Sequence, residues 1–353
     1  MHRSSTLKKV FLISLLSLFM FSQASKVSAG TNIWTSNGPV GKEILALVVD
    51  PKTPTTLYAA GWGGVYKSVN SGGSWTSINA GISSSDYVSS LAIDPQTPAT
   101  LYAGSGETLV YKTINGGEDW TLMNTGLDTA LDITVLAVDP ITPTTVYAGV
   151  NLGFHLNGTG LYKSINGGGK WNMVGDFLPP VIGHLAIDPV NPNNLYFGGG
   201  SGSAFWKSSN GGDNWSEISG LTSNLTAVAI NPITPTTIYA GTYTGISIST
   251  DSAGTWNAIN ADLSNLHITA IAIDPVTPTT LYVSTANGVF KRTLSEGVWK
   301  PLNNGLTNFN INVLAIDPMT PTKIYAGTQS GVFSIQQIDN LSRIYLPHIQ
   351  NDQ

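Results

Sequence analysis

Seven acidic residues of this chain fall in loops that vary between copies of a repeat: Glu43, Asp86, Glu107, Asp128, Asp132, Asp176 and Asp262. Glu43 and Asp132 stand apart, because each lies seven residues before an Asp-Pro step, where an inner strand should begin. Two carboxylates facing one glycosidic bond can act as general acid and general base if they lie within about 10 Å of each other. The same register holds Tyr87, Asn224, His267 and Asn310 elsewhere in the chain, and Val181 in one copy. Polar residues at one register of a closed repeat should ring the mouth of its central channel. Glu43, Tyr87, Asp132, Asn224, His267 and Asn310 are therefore candidates for a binding rim.

The aromatic residues add to this rim. Seven of the nine Trp recur at one place in the repeat: Trp34, Trp75, Trp120, Trp171, Trp215, Trp256 and Trp299. Trp206 replaces a repeated Tyr, and Trp62 has no structural slot. Trp62 lies in a loop, Gly61–Gly64, and Tyr243 occupies the equivalent position in Thr242–Gly245. A flat ring on an exposed loop stacks on the C–H face of a sugar or anchors a partner protein. The third repeat alone stretches this loop, with 15 positions from Tyr147 to Tyr162 where most copies use 8. Phe154, His155 and Asn157 within it join the candidate ligand contacts. His155, His184 and His267 come from different repeats and show no metal-ligand spacing, so neither a metal nor a cofactor is expected.

Positioning these residues falls to a unit of which Leu91–Trp120 is a clear copy. Its Asp-Pro step recurs at Asp50, Asp94, Asp139, Asp188, Asn231, Asp274 and Asp317, at intervals of 43 to 49 residues. Each copy reads as four short strands. An apolar strand with a central Ala comes first, and the Asp-Pro-x-Thr-Pro turn ends it, because proline donates no hydrogen bond and fixes its own φ. Such a period, built only of strands and turns, predicts an all-β fold: a seven-bladed β-propeller of four-stranded antiparallel blades. Ile33-Trp34-Thr35 reads as a fourth strand with no blade before it, and Ile324–Ser334 as strands with no fourth strand after them. The N-terminal strand should therefore complete the last blade, close the ring and hide both sheet edges.

The turn into the fourth strand reads Ser68-Val69-Asn70-Ser71-Gly72-Gly73-Ser74-Trp75. It recurs at Thr113–Trp120, Ser164–Trp171, Ser208–Trp215 and Ser249–Trp256, and in a copy one residue shorter at Thr293–Trp299. This octapeptide resembles the Asp-box, or BNR, motif, in which Asn or Asp accepts bonds from the turn and Gly takes positive φ. The resemblance covers nearly all of Asn32–Ile335. It implies kinship with the propellers of sialidases, xyloglucanases, sortilin-like receptors and a photosystem assembly factor.

Departures from those families narrow the function. Sialidases grip a carboxylate with three arginines, and beyond residue 29 this sequence has only Arg292 and Arg343. Gly61-Trp62-Gly63-Gly64-Val65-Tyr66 is similar to the xyloglucanase motif Asp-Ile-Gly-Gly-Ala-Tyr, with Gly61 in place of the acid. Xyloglucanases also use a cleft between two propellers, and one is encoded here. The arginine patch of the assembly factor and the Cys-rich domains of the receptors have no counterpart in this chain.

Composition and address complete the reading. Arg3, Lys8 and Lys9, the apolar run Val10–Phe21 and the small residues of Val27-Ser28-Ala29 form a signal peptide, with cleavage expected after Ala29. The propeller should occupy residues 30–338, with a tail at 339–353 that carries Ile344-Tyr345-Leu346-Pro347. Removing the first 29 residues leaves 12 bases against 21 acids, a net charge of −9, which disfavours nucleic acid. No second apolar run is long enough to span a membrane, and without Cys no disulfide supports the fold. The expectation is a secreted monomer that binds a neutral glycan or an extracellular protein through its variable loops. The alternative is a glycoside hydrolase using Glu43 and Asp132.

Overall fold

The computed structural model describes residues 31–83, 87–106, 109–127, 132–151, 160–175, 182–199 and 205–338. The signal segment, the tail and the loop with Phe154, His155 and Asn157 lie outside the described residues. Among those described the chain forms 28 strands in seven four-stranded antiparallel sheets. The first blade takes Ile44–Val49, Leu57–Gly61, Gly64–Ser68 and Thr76–Ser77, from the axis outward. The inner strands of the next five blades are Val88–Ile93, Asp132–Val138, His184–Ile187, Leu225–Ile230 and Ile268–Ile273. The seventh is built from Ile311–Ile316, Lys323–Thr328 and Gly331–Gln336, and its fourth strand is Thr35–Gly38. Every inner strand contacts those of both neighbouring blades, the seventh and first included. The ring is closed as expected.

Apolar side chains pack between blades rather than around one centre. Tyr58, Ala60 and Val65 of the first blade, for example, cluster with Leu91, Leu101 and Trp120 of the second. The central Ala of an inner strand, such as Ala92, leaves room for this close approach.

The repeated turns perform as their chemistry requires. Asp94 Oδ1 accepts from the N–H groups of Gln96 and Thr97 at 2.8 and 3.0 Å, and Asn231 does the same for Ile233 and Thr234. In the octapeptides Asn70 Oδ1 accepts from the Ser74 N–H at 2.9 Å, and Ser68 Oγ from the Gly72 N–H at 2.9 Å. Ala253, at the fifth copy's glycine position, is held at φ +72°. The sixth copy differs from the sequence alignment. Arg292 pairs with Leu281 as Ser68 pairs with Leu57, so Arg292, not Thr293, fills the leading Ser/Thr register.

Four of the seven recurring Trp act between blades rather than within their own hairpins. The indole N–H groups of Trp34, Trp120, Trp171 and Trp299 donate to Leu302, Ile78, Met123 and Ile259 carbonyls of the preceding blade, at 2.6 to 2.7 Å. These four are buried. Trp75, Trp215 and Trp256, which make no such bond, are half-buried.

Candidate functional site

The loops between second and third strands share one end of the ring with the connections between blades, and the sequence candidates collect there. Trp62 projects from the hairpin closed by Gly63 and Gly64, whose φ values of +90° and +92° suit glycine. It is 57% exposed. Its ring lies 4.7 Å from that of Tyr87, the rim residue of the next blade, and the two backbones form an isolated bridge. Tyr243, 53% exposed, repeats the arrangement, its ring 4.6 Å from that of His267. A loop aromatic of one blade thus leans on the rim residue of the following blade. These pairs sit at the first–second and fifth–sixth seams, on opposite sides of the mouth.

Glu43, half-buried, and Asp132, exposed, flank Tyr87 from the blades on either side. Burial raises the Tyr87 phenol above its ordinary pKa, and the charges of Glu43 and then Asp132 raise it further. The structure therefore brings Glu43, Tyr87 and Asp132 into one arc, with the phenol between the carboxylates. The rest of the predicted rim is more dispersed. His267 donates its backbone N–H to Asn265 Oδ1 at 2.9 Å, and Asn310 donates from Nδ2 to Gln329 Oε1 at 2.9 Å. Asn224 is half-buried at the start of the fifth blade. Sequence reasoning missed Leu266 and Phe309, both exposed on this face. Each directly precedes a rim residue, a signal that the repeat register contained.

Below the rim a cavity of about 630 Å³ occupies the channel, reaching from Tyr87, Asp132 and His267 down to His184. Six inner strands carry a bulge near their start, which turns Leu45, Ser89, Thr134, Thr226, Thr269 and Asn312 toward the axis. Most of the polar members bind protein. Ser89 Oγ donates to the Ile133 carbonyl, Thr134 Oγ1 to the Ile182 carbonyl, and Asn312 Nδ2 to the Ile44 carbonyl, each in the next blade. Thr269 pairs with Ser284 at 2.8 Å. The Thr226 hydroxyl is buried without a partner. The ladder of the fourth blade begins only at His184, and Gly183 stands at this level beside it. Burial lowers the His184 pKa to about 4, so the imidazole is neutral at pH 7. No Lys or Arg lines the cavity.

Two features separate this face from the enzymes that the octapeptide brings to mind. A Cβ placed on Gly61 would lie 1.9 Å from the Glu43 carbonyl oxygen, so an acid cannot occupy that position on this backbone. Arg292 is buried away from the mouth, donating to the Ile259 carbonyl at 2.9 Å and lying over Trp299. Arg343 is outside the described residues. Among the described residues no group of three His, Asp or Glu is arranged to hold a metal. No helix among them is long and apolar enough to cross a membrane.

The fold and this face define a seven-bladed β-propeller with aromatic pairs over a central channel. No protein-family model matches the chain. A xyloglucanase of Hypocrea jecorina is 33% identical over 78 residues, 19% of this chain and 9% of that protein. The GH74 xyloglucanase structure from Xanthomonas campestris superposes with a TM-score of 0.71 at 18% identity, over 85% of this chain and 53% of that one. The chain thus spans about half the length of that enzyme. The structure of YCF48 bound to D1 peptide gives a TM-score of 0.70 at 14% identity, over 88% of this chain and 100% of the other. These likenesses establish the propeller fold, which is shared by a glycosidase and by a protein solved with a bound peptide.

Proposed function

We propose that this protein is a secreted, monomeric, non-catalytic recognition propeller that binds a neutral glycan through its variable loop face. The observation that carries this reading is the pair of exposed aromatic contacts, Trp62 with Tyr87 and Tyr243 with His267, set on opposite sides of one mouth. Rings at the edge of a polar rim stack on sugar C–H faces, while Asp132, Glu43 and Asn310 accept hydroxyl protons. The rim carboxylates and the absence of basic side chains from the cavity wall disfavour sialic acid, phosphate and nucleic acid. The N-terminal 29 residues support export, with cleavage after Ala29. The test is a glycan array probed with residues 30–353. Binding to uncharged glycans is expected, with at least a tenfold loss in Trp62→Ala and Tyr243→Ala at unchanged melting temperature. Binding confined to extracellular proteins would replace the glycan by a protein partner.

A second reading, glycoside hydrolysis, draws on the convergence of Glu43 and Asp132 on Tyr87. Hydrolysis of a neutral polysaccharide that disappears in Glu43→Gln with Asp132→Asn would establish it in place of the binder.

A further inference from the structure

The proposal above uses the rim and leaves the channel beneath it without a role. We infer that this channel is itself a binding site, taking a single uncharged sugar ring held by His184 and Thr226. The inference rests on the neutral-glycan reading of the face above it, since the ring is either a free monosaccharide or the end of a bound glycan.

Three observations converge on it. The first is capacity. About 630 Å³ falls within the range of about 300–1,000 Å³ usual for small-molecule sites, and the rim opens directly into it.

The second is the distribution of unused hydrogen-bonding groups. Ser89, Thr134, Thr269 and Asn312 are tied to protein partners, while the Thr226 hydroxyl, buried on the neighbouring strand, has none. That hydroxyl has no accessible surface as it stands, and a χ1 rotation on the channel wall would turn it to a ligand hydroxyl and end the penalty of a buried unpaired donor. His184, one blade away, lines both the main cavity and a smaller one of about 210 Å³ continuous with the same strands. Its neutral imidazole offers one donor and one acceptor.

The third is selectivity. The wall between these polar groups is aliphatic, from residues such as Leu47, Leu91 and Val135, and it carries no cation. A polyhydroxylated ring presents both C–H surface and hydroxyls, and so matches such a wall, whereas an anion would be desolvated without a counter-charge. Gly183 stands where the other blades place a side chain, which leaves room in the channel beside His184.

Gly183 also provides the test. A Cβ added to it meets only the Gly198 carbonyl oxygen at 3.8 Å and the Gly199 Cα at 3.9 Å, so Gly183→Leu should crowd the channel beside His184 without disturbing the blade. The imidazole resonances of His184, assigned by their loss in His184→Gln, are followed by NMR while glucose, galactose, mannose or xylose is added. We expect a saturable shift with at least one sugar, at least fivefold weaker in Thr226→Val and abolished in Gly183→Leu. A silent His184 with all four sugars, or a response unchanged in Gly183→Leu, overturns the inference. Glycan-array binding that needs Trp62 and Tyr243 alongside a silent His184 would leave the surface reading standing and the channel site refuted. A responsive His184 with array binding indifferent to both aromatics would do the reverse. Loss of array binding in Gly183→Leu identifies the occupant as a glycan end, and its retention, with the monosaccharide response lost, as a free sugar.

Discussion

Trp120 belongs to the second blade, yet its indole N–H donates to the carbonyl of Ile78 in the first, 2.7 Å away. The residue is 4% exposed and packs among Tyr58, Ala60 and Val65 of that neighbour. It adds a buried hydrogen bond to a seam that Lys67 also crosses, donating to the Gly116 carbonyl at 2.9 Å.

Trp120→Ala should therefore lower stability by about 3–5 kcal/mol, as expected for a large buried aromatic. Trp62→Ala, on an exposed ring, should stay within about 1 kcal/mol of the wild type. Urea unfolding of both variants checks the contrast. A comparable loss in the two would make Trp62 a packing residue and remove it from the binding face.

The closing strand is the second test. Thr35 and Ser36 pair with Ser334 and Phe333, and the Trp34 N–H donates to the Asn304 carbonyl at 2.8 Å. Deleting Asn32–Thr35 exposes the edge of the seventh blade and should lower the melting temperature far more than deleting Ser342–Gln353. Equal losses would contradict closure through this strand.

Ala253 and Gly117 make a third comparison, at equivalent places in two octapeptides. Ala253 already sits at positive φ, so Ala253→Gly relieves backbone strain while losing a buried methyl group. The two effects nearly cancel, and stability should change by less than about 1 kcal/mol. At Gly117 a Cβ would stand 2.2 Å from Ile78 Cδ1 and at φ +92°. Gly117→Ala should cost about 2–3 kcal/mol, from the left-handed conformation and the displaced Ile78 rotamer together. Calorimetry of both variants measures the difference.

The fourth prediction concerns pH. Between the ordinary histidine value of 6.5 and about 4, the unfolded chain binds a proton at His184 that the folded protein does not. Stability should thus fall as pH drops through this window and level off below it. The loss is about 2–3 kcal/mol, less than the full shift implies because the ring keeps some channel-facing surface. Asp251, held to about 2 chiefly by the Thr255 N–H and then Ser249, acts only further down, its contribution fading between 3.8 and about 2. Urea midpoints from pH 7.5 to 4 should be flatter in His184→Gln than in the wild type. Parallel curves would disprove the penalty.

The number of blades and the shared seventh blade were legible because each copy carries its own proline turn and octapeptide. Trp62 and Tyr243 emerged because neither fills a repeated slot. Tyr87 and His267 emerged from the register of the rim, but their pairing with Trp62 and Tyr243 did not, because they belong to the following blade, and a repeat read along the chain does not say which faces touch across a seam. The inward ring of Ser89, Thr134 and Thr226 was hidden for a different reason. A bulge shifts the side-chain alternation by one residue, and a short apolar strand gives no sign of where that shift falls. The anchoring Trp was recognised as structural, but its bond to the preceding blade is a matter of three-dimensional packing.

The antiparallel register of Thr35–Gly38 on Gly331–Gln336 has a mechanical consequence. Thr35 lies opposite Ser334, so the chain leaves both strands at the same end of the seventh blade. Tension applied through Ile33 and Gln337 would load the ladder one pair at a time, peeling it as a zipper opens, rather than shearing all the pairs together. The ring would then give way first where its two ends meet, once the bonds of Trp34 and Gln337 to the sixth blade had parted.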